Sequence, residues 1–417
     1  MVRTAFRPAT LAASAMIVTL SAALAASVRL LFQNPDWTPR WMIDFSVYWT
    51  AGHAFVTGQS LYGFTIVSPV FGACCPYVYP PFNAIVLFAP LSPLSLPTAY
   101  LVWNILTLIV VGAAIWLILG TVGVHRDWLR VVLTGVAMVA SIGLLPLTYN
   151  LVVGQINPLI MLLVVLDFRK PNARWKGVGA GVAAGLKVTS LMFIAYYLLT
   201  KRWAAARNAT LTFLAMVAIG FVARGSDSAK FWTGLLFNPA RVGGEQITAN
   251  QSLSGLLARL THHTTVQGWW LPVLAVVAVF GLAMGVLAYR RGADFLGMLL
   301  VAVTMLLVSP ISWEHHWMFI VPLLLWLLAW SWHSRAVLPL AGAAALALVF
   351  ATRWYMDFGV LPNPVAPMDL NAWQQLTASG MTIAGLLFLL SFPLWRRAVP
   401  AESTWLPGDR TREEVTA

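Results

Sequence analysis

Long apolar runs alternate along this chain with short polar or basic connections. The runs at 270–288 and 336–350 contain no charged residue. A helix needs about 20 apolar residues to cross the hydrocarbon core of a membrane, and these runs lack the alternation of polar and apolar positions that indicates a barrel strand. The pattern therefore predicts an all-α, polytopic transmembrane helical bundle.

The runs differ in length, and the difference bears on the number of spans. The clear helical runs are 10–32, 98–120, 130–147, 206–223, 269–289, 315–332, 336–352 and 379–396, and shorter ones lie at 82–92, 154–168, 177–186, 188–199 and 295–308. Short or interrupted helices inside a bundle commonly border a cavity. The segment 82–120 either crosses once beside a re-entrant piece or crosses more often. We predict ten to twelve membrane helices.

Composition agrees with lipid as the solvent. Hydrophobic residues make up 59% of the 417 residues and charged residues only 10%, whereas a soluble domain carries about a quarter charged residues. The net charge of +12 does not indicate nucleic-acid binding, because no stretch is polar enough for a separate binding domain. The basic residues instead form clusters typical of cytoplasmic loops. These clusters are Arg169, Lys170, Arg174 and Lys176; Lys201, Arg202 and Arg207; Arg290 and Arg291; and Arg396 and Arg397.

Those clusters predict an orientation in the cytoplasmic (inner) membrane. The loops after 168, 199, 289 and 332 are expected inside, which places 224–268, 309–314 and 353–378 outside. The stretch 33–79 becomes a large first extracytoplasmic loop. Residues 1–397 are expected to form a single domain, and 398–417 a polar, disordered cytoplasmic tail.

Two cysteines are adjacent, at Cys74 and Cys75. Adjacent Cα atoms lie closer than ordinary disulfide geometry prefers, so two free thiols are expected. No metal site is predicted either, since the neighbouring His315 and His316 point about 100° apart on a helix and rarely share one ion. We expect no cofactor.

The first outer loop contains a carboxylate among aromatic residues. Asp44 and Tyr48 share one face if the segment is helical. Burial raises the pKa of a carboxyl group toward the range in which it works as a general base. Asp44 is therefore either a base beside a sugar ring or a residue that caps a helix beginning there.

Isolated polar residues interrupt the apolar runs farther along the chain. Gln155 and Asn157 either bind sugar hydroxyls or tie helices together. Lys187 lies between two short apolar pieces with no acid nearby in the sequence. A charge at the bilayer centre costs about 2.5–3.5 kcal/mol, so Lys187 needs an anionic partner, such as a lipid phosphate, unless it pairs with another helix or reaches the surface.

Two more polar clusters fall in predicted outer loops. Asn250 and Gln251 are suited to hydrogen bonding with a sugar. His315 and His316 lie between tryptophans in the 309–317 segment, where they either bind phosphate or sugar or belong to an interfacial aromatic belt.

Taken in order, these motifs resemble the polyprenol-phosphate-mannose-dependent α-1,2-mannosyltransferases, which are glycosyltransferase family 87 members of the GT-C superfamily. The motifs are Asp44–Tyr48, Gly58–Gly63, Tyr79-Pro80-Pro81-Phe82, Gly154-Gln155-Ile156-Asn157, Gly185–Thr189, Asn250-Gln251-Ser252 and Ser309–Trp317. Each is weak alone, but their order along most of the chain is fairly specific. Residues 224–243, 353–378 and the tail show no such similarity.

The resemblance implies a GT-C fold, an outward-facing active site and an inverting transfer of mannose from a polyprenyl-phosphate donor to a mannolipid or glycan acceptor. Asp44 matches the family's proposed catalytic position, and His316 a position near the donor phosphate. The expected donor-binding residues are Lys187, His316, His315, Tyr48, Tyr79, Gln155, Asn157, Asn250 and Gln251. An arabinofuranosyl or other sugar transferase of the same family is the alternative, and a lipid or solute transporter is the alternative of another class.

Overall fold

The computed structural model describes residues 8–31, 42–68, 72–169, 174–238, 241–352 and 366–405. The part of the predicted first loop at 32–41, the part of the outer loop at 353–365 and the tail residues 406–417 lie outside the described residues. The described chain is mostly helical, with almost no strands. Its helices are α1 (Pro8–Leu31), α2 (Ile43–Val56), α3 (Pro81–Leu91), α4 (Leu96–Thr121), α5 (Asp127–Ile142), α6 (Leu145–Val153), α7 (Asn157–Phe168), α8 (Val178–Leu186), α9 (Val188–Leu199), α10 (Trp203–Ala223), α11 (Gly225–Thr233), α12 (Leu253–Thr261), α13 (Trp270–Arg290), α14 (Asp294–Val308), α15 (Glu314–Ser334), α16 (Val337–Ala351), α17 (Ala372–Ala378) and α18 (Gly380–Trp395).

The helices agree with the apolar runs, and the chain is a helical membrane protein. Among the described residues, four helices are each long and apolar enough to cross a membrane: α4, α10, α13 and α15. The count rises to six if the bent pairs α5–α6 and α17–α18 each form one span. Shorter apolar helices of 10–17 residues fill the bundle between them. The count of ten to twelve membrane helices therefore stays a prediction, as does the large first outer loop.

The region 33–79 is not an irregular loop in its described part. It contains α2 and a two-stranded antiparallel hairpin, β1 (Thr65–Ser68) and β2 (Gly72–Pro76). Helix α2 lies directly against α3, because Gly52 has no side chain where a Cβ would meet the Phe88 carbonyl carbon at 2.5 Å. This close approach fixes the face of α2 that carries Asp44 and Tyr48.

The predicted basic loops meet at one end of the bundle. Arg202 and Lys176 both pair with Asp294 at the start of α14, and Arg291 donates a hydrogen bond to the Arg396 carbonyl. These residues come from the connections after α7, α9, α13 and α18. The structure therefore brings together the basic clusters that the sequence predicts to lie on one side of the membrane.

The first residues of the expected disordered tail are packed at this same end. Glu402 accepts hydrogen bonds from the backbone N–H groups of Phe295 and Leu296 and from the Trp326 indole. Trp405 is buried and packs against Trp326. A carboxylate at a helix N-terminus satisfies otherwise unpaired donors, which explains why Glu402 holds this polar segment against the bundle.

Candidate active site

A cavity of about 370 Å³ lies between α2, β2, the residues that connect β2 to α3, and the start of α9 and α15. Its wall combines segments that are more than 250 residues apart in the sequence, because Asp44 and His316 both line it. Six predicted site residues line this cavity, namely Asp44, Tyr48, Tyr79, Gln155, Lys187 and His316.

Gln155 organises one side of the cavity. Its Nε2 donates to Asp44 Oδ2 at 2.7 Å, while its Oε1 accepts from the Tyr48 hydroxyl at 2.8 Å and from the Tyr79 hydroxyl at 3.0 Å. Gln155 can be placed here because Gly154 ends α6 in the left-handed conformation with φ 77°. A Cβ on Gly154 would meet the Cβ of Phe45 at 2.4 Å, so only glycine fits this turn.

The Asp44 carboxylate is directed to this network rather than to its own helix. Helix α2 begins at Ile43 with Met42 in the capping position, so the interpretation of Asp44 as a helix cap is not supported. Burial raises the pKa of the Asp44 carboxyl above its ordinary value. The electrostatic influence of His315, the hydrogen bond from Gln155 and the nearby Lys187 lower this pKa, whereas Glu314 raises it further. The result is a carboxylate suited to accept a proton.

Lys187 lies on the cavity wall between the end of α8 and the 3₁₀ turn that opens α9. Its ammonium donates to Asn157 Oδ1 at 3.0 Å, and Asn157 in turn donates to Asn150 Oδ1 at 3.1 Å. Asn157 thus holds the Lys187 ammonium in place at the cavity wall. Among the described residues Lys187 forms no salt bridge, so its charge is left for something that enters the cavity.

The paired histidines have different surroundings. His316 lines the cavity. His315 does not line it; its Nδ1 lies 3.6 Å from Glu314 Oε1, and its backbone carbonyl accepts from Asn150. The two rings meet edge to face with centroids 4.8 Å apart. His315 therefore packs against the His316 ring and influences the Asp44 carboxyl, and its contact with the donor stays a prediction.

A small recess of about 10 Å³ adjoins the cavity behind Lys187 and His316. It is lined by Asn157, Ser190 and Ser312, among others. The Ser190 and Ser312 hydroxyls are buried and have no hydrogen-bond partner among the described residues. Unpaired buried hydroxyls are costly, so this recess is suited to receive oxygen atoms of a ligand.

Asn250 and Gln251 do not line the cavity, so the structure does not bring them together with the other predicted donor-binding residues. Asn250 Nδ2 donates to the Glu245 and Pro310 carbonyls, and its Oδ1 accepts from the Ser312 N–H. Gln251 Nε2 donates to the Ala378 carbonyl. Both side chains are fully buried and hold the outer loop against the 309–313 segment and α17, because backbone groups already occupy their amides.

The two cysteines also differ from the expectation. Cys74 and Cys75 are joined in a disulfide with Cα atoms 3.7 Å apart. Adjacency does not prevent the bond here, because the backbone of Cys75 turns into the left-handed region with φ 65°. Cys75 lines the cavity, so the disulfide forms part of its wall.

The sequence interpretation missed one charged residue on the wall, Arg241. It lies in the segment 224–243, which carries no recognisable motif. The one available signal was a basic residue in a loop assigned to the outside, where basic residues are uncommon. Within the described part of the chain, no group of three His, Cys, Asp or Glu side chains lies close enough to hold a metal ion.

Comparison with known proteins decides the family. The model of glycosyltransferase family 87 matches residues 77–310, more than half of the chain. The chain belongs to glycosyltransferase family 87. It is therefore an enzyme that transfers a sugar, which sets aside the transporter alternative. The family match begins after Asp44 and ends at Pro310, so the site extends beyond the matched region on both sides.

The chain is similar to mannosyltransferases from two mycobacterial species. The chain is 32% identical over 73% of its length to a polyprenol-phosphate-mannose-dependent α-(1-2)-phosphatidylinositol mannoside mannosyltransferase of Mycobacterium tuberculosis, 75% of which is covered. It is 33% identical to the protein so named in Mycolicibacterium smegmatis, with 81% of this chain and 80% of that one covered. A phosphatidylinositol pentamannoside mannosyltransferase of Mycobacterium tuberculosis is 30% identical, with 79% and 80% covered. No solved structure matches the chain.

Proposed function

We propose that this protein transfers mannose from a polyprenyl-phosphate-mannose donor to a mannolipid or lipoglycan acceptor, forming an α-1,2 linkage with inversion at the outer face of the cytoplasmic membrane. The observation that carries the proposal is the composition of one cavity. It presents a half-buried carboxylate, Asp44, together with two groups suited to a phosphate, Lys187 and His316. The names of the relatives supply the sugar, the linkage and the lipid class.

The chemistry assigns a separate role to each group. The acceptor hydroxyl oxygen attacks the anomeric carbon of the donor, and Asp44 takes the proton of that hydroxyl as general base. The bond from the anomeric carbon to the phosphate oxygen breaks, and its electron pair stays on the phosphate. Lys187 and His316 stabilise the charge on the departing phosphate. Attack opposite to the leaving group inverts a β-linked mannose to an α-mannoside.

Gln155 keeps the base in its reactive arrangement. Because Tyr48 and Tyr79 both donate to its Oε1, its Nε2 points at Asp44. The carboxylate is thereby held at one oxygen. Such preorganisation avoids a rearrangement during the reaction.

Two observations support the outward orientation. The basic loops meet at the end of the bundle that holds the paired charges, and cytoplasmic loops are enriched in basic residues. The hairpin beside the cavity carries a disulfide, and disulfides persist in oxidising, extracytoplasmic compartments.

One experiment tests the reaction. Purified protein in nanodiscs is incubated with polyprenyl-phosphate mannose and a panel of mannolipids, and the products are identified by mass spectrometry and linkage analysis. We expect one added hexose in an α-1,2 linkage. Polyprenyl-phosphate arabinofuranose in a parallel reaction tests the alternative donor. Use of a nucleotide sugar instead of a lipid-linked donor would contradict the proposal, because nucleotide sugars are cytoplasmic.

A second experiment tests the orientation. Cys74 and Cys75 are bonded to each other, so a single introduced cysteine is the only free thiol. Gln59→Cys and Arg207→Cys change exposed residues on the proposed outer and inner sides. An impermeant maleimide should label the first in intact cells and the second only after permeabilisation. The reverse pattern would contradict the orientation.

A further inference from the structure

Arg241 is a charged residue on the cavity wall that the reaction described above does not use. It follows α11 in the loop that leads to α12. Its Nη2 donates to the Tyr77 carbonyl at 2.9 Å, and its guanidinium carbon lies 5.9 Å from the centroid of the Tyr62 ring. The side chain is thus held against the cavity from the hairpin side.

Most of the hydrogen-bonding capacity of Arg241 is left unused. A guanidinium has five N–H donors in a planar fork and stays charged at any pH a protein tolerates. Within the described chain, Arg241 forms no salt bridge and only its bond to Tyr77 is present. Arginine binds phosphate groups in a bidentate fashion, so a charged, half-buried fork on a cavity wall is a suitable phosphate contact.

The cations of the cavity come from different walls. Lys187 is anchored on Asn157 at the start of α7, whereas Arg241 is anchored on Tyr77, which follows β2. The reaction proposed above brings two lipids into one cavity. The donor has one phosphate, which Lys187 and His316 serve. An acceptor of the phosphatidylinositol mannoside type, named for the relatives, would bring a second phosphate.

We propose that Arg241 binds the phosphodiester of an anionic glycolipid acceptor and thereby directs the acceptor hydroxyl toward Asp44. The inference rests on the proposed function and extends it, because it makes the charge of the acceptor a determinant of specificity. It also assigns a role to the segment 224–243, which shows no motif of its own. Arg241 is in this view a specificity residue, whereas the chemistry remains with Asp44.

The test compares two acceptors that end in the same mannose. One is a phosphatidylinositol mannoside, and the other is an uncharged mannosyl diacylglycerol. Arg241→Gln keeps an amide that can donate to the Tyr77 carbonyl but removes the charge, and Arg241→Lys keeps the charge but removes the fork. We expect Arg241→Gln to raise KM for the anionic acceptor about 10- to 100-fold, with Arg241→Lys in between. KM for the neutral acceptor and for the donor should stay within about twofold.

Arg224 offers a matched control. It lies on the same side of the molecule, donates to the Ala54 and Phe55 carbonyls and does not line the cavity. Arg224→Gln should leave the ratio of the two acceptor KM values unchanged. An equal loss with both acceptors in Arg241→Gln would show that Arg241 only ties the loop, and a raised donor KM would assign it to the donor phosphate. Either result overturns the proposal.

A binding measurement keeps this test separate from the proposed reaction. Native mass spectrometry of the protein with the phosphatidylinositol mannoside, without donor, should show weaker retention in Arg241→Gln than in the wild type. Equal retention would overturn the proposal even if the wild type transfers mannose. If the wild type transfers no sugar from any polyprenyl phosphate, the proposed function fails, while the retention result still decides whether Arg241 binds the anionic lipid.

Discussion

Charged residues are arranged in opposite ways at the two ends of this bundle. At the end with the basic loops, Asp294 lies 2.7 Å from Arg202 and 3.4 Å from Lys176. Asp167 accepts hydrogen bonds from three backbone N–H groups in the segment 177–180. At the cavity, none of Asp44, Lys187 and Arg241 takes part in a salt bridge with another described residue.

The difference separates structural charges from functional ones. A buried charge without a partner is expensive, and a protein normally pairs it. The basic end follows this rule, so its ions hold helices together. The cavity departs from it next to open space, where a charged ligand can supply the missing partner. The comparison predicts that substitutions at the cavity change activity, while those at the basic end change stability.

The largest effect is expected for Asp44→Asn. The substitution keeps the size and an oxygen that accepts from Gln155 but removes the base. We expect kcat to fall about 10²- to 10⁴-fold, measured in nanodiscs with the polyprenyl-phosphate donor. Asp227→Asn is the matched control, because Asp227 bonds to Ser60 and the Leu61 N–H and does not line the cavity. Activity of Asp44→Asn within a fewfold of wild type would exclude Asp44 as the base.

The raised pKa of Asp44 predicts how this variant behaves with pH. The folded state holds the Asp44 proton to higher pH than the unfolded state does. Ionisation of Asp44 therefore lowers the free energy of unfolding as pH rises through the folded pKa. Asp44→Asn removes this penalty, so at neutral pH its Tm should equal or exceed that of wild type. In the wild type, kcat/KM should fall as pH drops through the same pKa, because the base becomes protonated.

Lys187→Met is expected to have the next largest effect. The loss of one group that stabilises the leaving phosphate costs about 10²- to 10³-fold in rate. Because the phosphate belongs to the donor, Lys187→Met and His316→Ala should each weaken donor use more than acceptor use. Lys187→Arg should retain part of the activity, since it keeps the charge. If Lys187→Met lowers stability but leaves the donor kinetics unchanged, Lys187 has only a structural role between helices.

Asp294→Asn, at the end with the basic loops, is expected to lower stability and leave activity unchanged. It leaves Arg202 without the carboxylate that lies 2.7 Å away. Breaking a fully buried ion pair costs about 3–5 kcal/mol, and we expect about 2–3 kcal/mol because this pair is partly exposed. Thermal unfolding in detergent measures the loss. The surviving protein should show donor and acceptor KM values like those of the wild type. A change in KM without a change in stability would contradict the assignment of a structural role to the charges at the basic end.

The sequence predicted the positions of the helices well, but it did not predict which side chains from distant segments contact each other. Apolar runs located the helices, because the length of a membrane-spanning segment is fixed by the bilayer. The spacing of Asp44 and Tyr48 placed both on one face, and both indeed bond to Gln155. Gln155 is 111 residues from Asp44, however, and no local pattern reveals that contact.

The same limit explains which residues the sequence did not place correctly relative to the cavity. Asn250 and Gln251 have the residue types of a sugar site, but tertiary packing directs their amides to backbone groups of distant segments. Arg241 lacks a motif, and only the fold brings it to the cavity beside Tyr77. Residue type predicts what a side chain can bind, whereas the fold decides whether protein or ligand binds it.

The smallest single effects are expected for the hydroxyls that orient Gln155. Tyr48→Phe and Tyr79→Phe each remove one neutral hydrogen bond to Gln155 Oε1, worth about 0.5–1.5 kcal/mol, so each should lower kcat about 2- to 10-fold. The double variant leaves Oε1 with neither donor and frees the Gln155 side chain to rotate away from Asp44. The loss should then exceed the product of the two single losses. Tyr100→Phe is the control, since the Tyr100 hydroxyl bonds to the Leu151 and Val152 carbonyls and should affect stability without lowering kcat. A double variant whose loss equals the product would show that the two hydroxyls act independently and that Gln155 does not orient the base.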